Sequence, residues 1–350
     1  MTEPITYREA GVDIEAADEA LRLARAHIRS TFTPLVASDL GTFGAMFRFP
    51  AGQYRDPVLV ASTDSVGTKL KIAFATGIHD TVGADLVNHC VNDILVQGAR
   101  PLFFLDYLGM GKVVPETVAA ILAGLAAACR ETGTALIGGE IAELPGIYQP
   151  GEYDLAGTIV GVVEGDQVLT GERVRPGDAL LGLASDGLHT NGYSLARKVL
   201  LEAAGMPLEA QVPELGRTLA QELLRPHRGY GPAVWPLLAS GDIHGMAHIT
   251  GGGIPDNLRR ALPAGCRAVV DGAAWPVPPI FRLIGRLGRV PTGDWYRTFN
   301  LGIGFILVVK AEQADTLAAA LTGAGETVYR IGSVESGPRE VIIERPQASV

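Results

Sequence analysis

Apolar and polar positions along this 350-residue chain fall into two successive series of short hydrophobic runs and amphipathic stretches. In the first series the spacing predicts a strand over 58–63, a helix over 83–98, a strand over 102–108, a helix over 115–132, and strands over 135–137 and 155–163. In the second, strands are predicted near 179–184, 247–250, 268–270 and 303–309, separated by helices that start at Tyr193, Gly231, Ile254, Pro278 and Ala311. Turn signals at Glu164-Gly165-Asp166 and Val174-Arg175-Pro176-Gly177-Asp178 flank a short apolar hinge, which places a domain boundary there and gives domains over 1–168 and 169–350. Each half reads as an α+β or α/β sandwich of sheet and helices, with no evident sequence repeat between them.

Composition narrows the class. With 47% hydrophobic residues there is ample core material, and the length exceeds the size at which one core usually stops growing, so two medium domains are expected. No apolar run approaches the roughly 20 residues that span a bilayer. Met1-Thr2-Glu3-Pro4 lacks the basic-then-apolar order of a signal peptide, so a cytoplasmic protein with no membrane partner is expected. Cys90, Cys129 and Cys266 lie far apart in apolar segments and read as reduced core residues. A formal charge of −9, without a basic run interleaved with aromatics, argues against nucleic-acid binding, so anionic substrates must be held by local features. The Walker phosphate loop, the strand-linked Rossmann fingerprint, the HExxH zinc motif and the GxSxG nucleophile elbow are all absent.

Polar clusters interrupt the apolar pattern. Ser62-Thr63-Asp64-Ser65-Val66-Gly67-Thr68-Lys69 follows the run Pro57-Val58-Leu59-Val60-Ala61, and so puts a carboxylate, a glycine, hydroxyls and a lysine at the end of an expected buried strand. Such residues suit Mg²⁺, which takes oxygen ligands and bridges to phosphates, or else an ordinary polar turn. On the helix over 83–98, Asp85, Asn88, His89, Asn92, Asp93 and Gln97 recur at three- and four-residue spacing, giving a narrow face that is either solvated or suited to metal or ribose contacts. Gly138-Gly139-Glu140-Ile141-Ala142-Glu143-Leu144-Pro145-Gly146 reads as a loop that brackets two acids with glycines, either a metal and phosphate loop or a capped surface turn. Ser185-Asp186-Gly187-Leu188-His189-Thr190-Asn191-Gly192 opens a helix, where hydroxyl and amide groups cap the backbone or meet a phosphate. His248-Ile249-Thr250-Gly251-Gly252-Gly253 lies between a strand and a helix, and its glycines are expected to expose N–H groups toward an anion.

These motifs together resemble the phosphoribosylformylglycinamidine cyclo-ligase family, also called aminoimidazole ribonucleotide synthetases. The resemblance extends almost end to end. It includes Tyr7-Arg8-Glu9-Ala10-Gly11-Val12-Asp13-Ile14, Leu40-Gly41-Thr42-Phe43-Gly44-Ala45, Val91-Asn92-Asp93, Pro101-Leu102-Phe103-Phe104-Leu105-Asp106-Tyr107 and Tyr296-Arg297-Thr298-Phe299-Asn300, besides the clusters above. It implies ATP-dependent closure of formylglycinamidine ribonucleotide to aminoimidazole ribonucleotide in purine biosynthesis, with ADP and phosphate released. ATP would phosphorylate the formyl oxygen, and the substrate's own amidine nitrogen would displace that phosphate.

The implied fold is a two-domain member of an ATP-binding superfamily. Its N-terminal α+β domain would pair with a twin into an intersubunit β-barrel in a homodimer, beside a C-terminal α/β sandwich domain. Carried onto this chain, the implied metal ligands for Mg²⁺ are Asp64, Asp93, Glu140 and Glu143. Gly41, Gly44, Asp64, Lys69, Asp93, Gly139, Glu140, Asn191, Gly251 and Gly252 would contact ATP or substrate phosphate, with Gly41 and Gly44 in a glycine-rich loop over the nucleotide. The implied catalytic set is His189, His248 and Lys69.

Two positions depart from the family pattern. Arg25 stands where some members carry a nucleotide-site lysine, which keeps the charge but changes the donor geometry, and Asp186 stands where serine is commoner. The alternatives within the superfamily are a thiamine-phosphate kinase-like enzyme, which lacks the extended His-Thr-Asn-Gly-Tyr match, or a catalytically silent nucleotide-binding protein.

Overall fold

The structure is a computed structural model and describes residues 5–348, so the Met1–Pro4 segment read above for a leader lies outside the described residues. Two compact units divide the chain, one from residues 5–91 with Pro101–Glu164 and the other from Asn92–Arg100 with residues 165–348.

The first unit contains α1 (Ile14–Arg29), β1 (Pro57–Ser65), α2 (Leu70–Thr76), the larger part of α3 (Asp80–Leu95), β2 (Arg100–Met110), α4 (Pro115–Thr132), β3 (Ala135–Glu143) and β4 (Tyr153–Glu164). Its sheet runs β1-β4-β2-β3, with β1 antiparallel to β4 and β2 parallel to β3. The bounds of α4 match the sequence expectation because Pro115 starts it and Gly133, at φ 68°, ends it. Helix α1, by contrast, is invisible in the apolar pattern. Its buried stripe is Ala20, Ala24 and Ile28, which has helical spacing but little hydrophobic contrast. Helices α3 and α4 meet backbone to backbone at two glycines. A Cβ on Gly83 would lie 2.2 Å from the Ile121 carbonyl oxygen, and one on Gly124 would lie 1.8 Å from that of Asp80.

Two expectations for this sheet are corrected. The apolar strand ending at Asp64 is not buried within the chain, because β1 is an edge strand with Leu59 60% exposed. The glycine-bracketed segment from Gly138 is not a loop either. It continues β3 to Glu143, paired in parallel with β2 as far as Met110.

The second unit adds β5 (Ala179–Ala184), α5 (Tyr193–Arg197), the short pair β6 (Gln211–Val212) and β7 (Arg217–Thr218), α6 (Leu219–Leu223), α7 (Gly231–Val234) and β8 (Ile243–His248). These are followed by α8 (Gly253–Arg260), β9 (Cys266–Asp271), α9 (Pro279–Gly288), α10 (Thr292–Thr298), β10 (Ile303–Val309), α11 (Ala314–Gly323), β11 (Val328–Ser336) and β12 (Val341–Glu344). Its sheet runs β12-β9-β11-β5-β10-β8 and is antiparallel except between β12 and β9. Strands β5 and β10 sit inside this sheet, which is why their continuous apolar runs predict their bounds. Strand β11 escaped the sequence reading because Arg330, Gly332 and Ser333 break its alternation. The register shifts between Arg330 and Gly332, and a Cβ on Gly332 would lie 2.0 Å from the Val269 carbonyl oxygen.

Candidate functional site

In the first unit, the end of β1 turns through Gly67–Lys69 into α2. Lys69 is fully buried, with Nζ 2.7 Å from Oδ2 and 2.8 Å from Oδ1 of the equally buried Asp85. Opposite charges withdrawn together from water offset each other's desolvation. The lysine expected on a phosphate is paired inside the fold with Asp85. The expected polar face of α3 exists but is not a solvated surface, since Asp85, Asn88, His89 and Asn92 are all buried. Asp64 is partly exposed. One of its oxygens lies 2.7 Å from Nε2 of His89, and the other accepts the Ser65 N–H at 2.7 Å.

On β3, Gly139 and Glu140 are exposed at the sheet edge. Glu143 is differently placed, because its two oxygens accept the backbone N–H groups of Asp13 and, at 2.9 Å, Val113. These bonds tie the start of α1 and the approach to α4 onto β3. Gly139 lies opposite Asp106 of β2, and a Cβ there would come 2.3 Å from Asp106 Oδ1. Burial pushes the Asp106 carboxyl up to about 7.

Gly41 and Gly44 lie in an exposed loop whose stem is closed by Ala37 N–H to Met46 O at 2.8 Å and Arg48 N–H to Leu35 O at 2.7 Å. Phe43, beside them, projects wholly into solvent. At the base, Asp39 accepts hydrogen bonds from Arg29 and from the Leu40 N–H, which hold its carboxyl below the ordinary range. Arg25, one of the two departures, lies 4.0 Å from the same carboxylate.

In the second unit, three histidines are brought together. His189 has a left-handed backbone at φ 60°, uncommon for a side chain of its size, and its Nε2 accepts N–H from Asp186 at 3.1 Å and Arg228 at 3.4 Å. An Nε2 that accepts two donors leaves Nδ1 to carry the proton of the neutral ring. The ring stacks on His227 with centroids 4.0 Å apart and planes 22° apart. His227 Nε2 lies 3.0 Å from His248 Nε2, and His248 Nδ1 lies 2.9 Å from Asp93 Oδ1. Asp186, the other departure, is neutralised by Arg225 at 2.6 Å and Arg228 at 3.2 Å. Arg228 also donates to Glu326 at 2.8 Å, so the extra acid anchors a loop beside His189 instead of facing outward uncompensated.

The glycine turn differs from expectation as well. Gly252 N–H is donated to Arg297 O at 3.0 Å and Gly253 N–H to Thr250 O at 2.9 Å, so both are spent within the fold and do not form an open anion cradle. Gly253 is required by close approach, since a Cβ would lie 1.9 Å from the Tyr296 carbonyl oxygen. Gly251 remains exposed, with Asn191 Oδ1 3.5 Å from where its Cβ would be.

Sequence reasoning missed His227, the Arg225 and Arg228 pair, and Asn257, whose amide donates to the carbonyls of Thr250, Gly251 and Gly253. The available signal was Arg225-Pro226-His227-Arg228-Gly229-Tyr230, where charged and aromatic residues crowd a loop bounded by proline and glycine.

The family pattern described as "AIR synthase related protein, N-terminal domain" matches residues 45–163, and its C-terminal counterpart matches 175–345. Phosphoribosylformylglycinamidine cyclo-ligases of Brevibacillus brevis and Myxococcus xanthus are each 51% identical to this chain, covering 96% of it and 97% of their own length. Among solved structures, thiamine-monophosphate kinase from Stenotrophomonas maltophilia is similar with a TM-score of 0.66 at 22% identity, covering 94% of this chain and 96% of that one. Hydrogenase maturation protein HypE in complex with ATP is similar with a TM-score of 0.66 at 23% identity, covering 96% and 93% respectively. Likenesses at that identity speak for the two-domain fold alone, whereas the near full-length identity to the cyclo-ligases speaks for descent. The chain belongs to the phosphoribosylformylglycinamidine cyclo-ligase family.

Proposed function

We propose that this chain closes the imidazole ring of aminoimidazole ribonucleotide from formylglycinamidine ribonucleotide at the expense of ATP, releasing ADP and phosphate. The observation that carries the reading is identity to named cyclo-ligases across both domains. An amide oxygen is a poor leaving group, so phosphoryl transfer to it precedes attack by the amidine nitrogen of the same molecule. Because nucleophile and electrophile share one substrate, the protein's task is to fold that substrate, exclude water and supply groups that take and return protons.

His189 and His248 are assigned to the substrate, with Asn191 and Gly251 on its phosphate side. His189 is held by two backbone N–H groups and His248 by Asp93, so each ring is oriented before substrate arrives. The loop with Gly41 and Gly44 is assigned to cover the nucleotide, a role supported by its exposure and closed stem. For Mg²⁺, Asp64, Asp93 and Glu140 are assigned as ligands, as the resemblance implies, since hard carboxylate oxygens suit that ion. When bound, the ion would neutralise the triphosphate. Glu143 and Lys69 belong to the same assignment, with the Glu143 oxygens accepting the N–H groups of Asp13 and Val113 and Lys69 paired with Asp85.

Residues 1–168 are assigned to ATP binding and dimerisation and 169–350 to the second domain. A homodimer is supported by the open face of the first unit's sheet, where Leu59, Ala61 and Tyr107 stand exposed. A cytoplasmic setting belongs to the same reading; among the described residues no helix is long and apolar enough to cross a membrane.

The test mixes protein, ATP, Mg²⁺ and formylglycinamidine ribonucleotide and follows ADP and aminoimidazole ribonucleotide together, with a control lacking the ribonucleotide. Matched, ribonucleotide-dependent formation of both is expected. ADP formation independent of the ribonucleotide would defeat the reading. Asp64→Asn should stay folded and lose Mg²⁺-dependent turnover; unchanged turnover at subsaturating Mg²⁺ would remove Asp64 from the metal site.

A further inference from the structure

His227 has no part in the reaction as described, yet it is the residue through which the other two histidines meet. Its Nε2 faces His248 Nε2 at 3.0 Å, its Nδ1 lies 3.3 Å from Thr190 Oγ1, and its ring stacks on His189 at 4.0 Å. Two ring nitrogens at hydrogen-bond distance require complementary tautomers, because one must donate and the other accept. With Asp93 ionised and the rings neutral, one assignment satisfies every contact. His248 donates Nδ1–H to Asp93 and accepts the Nε2–H of His227, and His227 Nδ1 accepts the Thr190 hydroxyl.

The segment that carries His227 is clamped just as firmly. Asn92 donates to Arg228 O at 2.8 Å and accepts the Tyr230 N–H at 3.1 Å, and the buried Tyr230 donates its hydroxyl to Ala184 O at 2.9 Å. A residue that only filled space would need neither two aligned nitrogens nor such a clamp.

We propose that His227 is a positioning residue for ring closure. By bonding His248 and stacking on His189 it sets the orientation of both rings and, together with Asp93, the tautomer of His248, and through them the reactive geometry of the bound ribonucleotide. The proposal rests on the cyclo-ligase reading above and adds to it a third histidine that does not touch substrate.

Three variants test it. His227→Phe keeps a flat ring against His189 and removes both nitrogens. His227→Asn keeps a polar amide too short to reach His248, and His227→Gln restores a donor near the lost Nε2. We expect H227F and H227N to lower kcat by about 100-fold, the loss associated with misplacing a reacting centre by about 1 Å. KM for ATP and for the ribonucleotide should stay near parent values, since the missing interaction orients more than it binds. H227Q should recover most of the loss. In ¹⁵N spectra of the histidine rings, the Nε2 signal of His248 should move away from its hydrogen-bonded position in H227F and stay near it in H227Q.

Parent-like kcat in H227F, a raised KM at unchanged kcat, or unmoved His248 signals would each overturn the proposal. If H227F fails to fold, H227N gives the same reading. A parent protein that does not form ADP and aminoimidazole ribonucleotide together would defeat the cyclo-ligase reading and the proposal with it, whereas an active parent beside an active H227F defeats the positioning role alone.

Discussion

In the first unit Lys69 and Asp85 face each other as full charges at 2.7 Å, sealed from solvent, whereas in the second His189, His227 and His248 are linked by hydrogen bonds and a ring stack that need no net charge. Both regions bury polar groups, but with different consequences. A buried ion pair has one workable state, since neither partner can lose its charge without stranding the other. In a chain of neutral imidazoles a ring can gain or give up a proton without stranding a buried opposite charge. The first arrangement suits a scaffold, and the second suits chemistry in which protons are taken and returned.

The largest expected effect breaks the scaffold side. Lys69→Met leaves Asp85 buried without its counter-ion and should destabilise the protein by about 3–5 kcal/mol, measured by urea denaturation. Adding Asp85→Leu should recover much of that loss. A K69M protein of parent stability that failed only to bind ATP would return Lys69 to the phosphate and erase the contrast.

Next, on the histidine side, Gly304→Ala would place a Cβ 2.1 Å from Tyr230 Oη and 2.5 Å from His189 Cε1. Overpacking there should destabilise by about 1–3 kcal/mol and depress turnover by more than the loss of folded protein accounts for. Turnover that simply tracks the folded fraction would show that the His189 ring tolerates displacement.

A pH series sharpens the scaffold side further. Asp106 titrates at about 7 in the fold because burial disfavours its charged form. The unfolded residue titrates near its ordinary value of about 4. Across that window the folded state holds a proton that the unfolded chain has lost, so this group's contribution to stability falls as pH rises from about 4 to about 7 and is level above, with a slope of about 1.4 kcal/mol per pH unit. Asp106→Asn should flatten that part of the profile, and an identical slope in parent and variant would place the titration elsewhere. The smallest effect is expected from Asp186→Ala. Its partners Arg225 and Arg228 are partly solvated, so stability should change by about 1 kcal/mol or less, while kcat should fall as the loop around His189 loosens.

Legibility followed local contrast. Helix α4 and strands β5 and β10 were readable because their ends and apolar runs are local features of the chain. Helix α1 was not, since alanines carry its buried stripe, and β11 was not, since a glycine breaks its alternation. Among the proposed site residues, Asp64, Asp93, Glu140, His189 and His248 stand in recognisable motifs. Lys69 and Glu143 stand in the same motifs, but a motif cannot say whether a charge points outward or is taken up by Asp85 or by the N–H groups of Asp13 and Val113.

By itself the sequence determined the two-part architecture, the main sheet-forming runs and, through motif resemblance, the reaction, because these depend on residue order and periodicity. Tertiary structure alone decided which charges are spent internally, why the extra Asp186 is tolerated, and that His227, 38 residues beyond His189 and 21 before His248, joins them. Hydrogen bonds and ring stacks depend on distances of a few ångströms in space, and residue order does not encode those distances until the chain is folded.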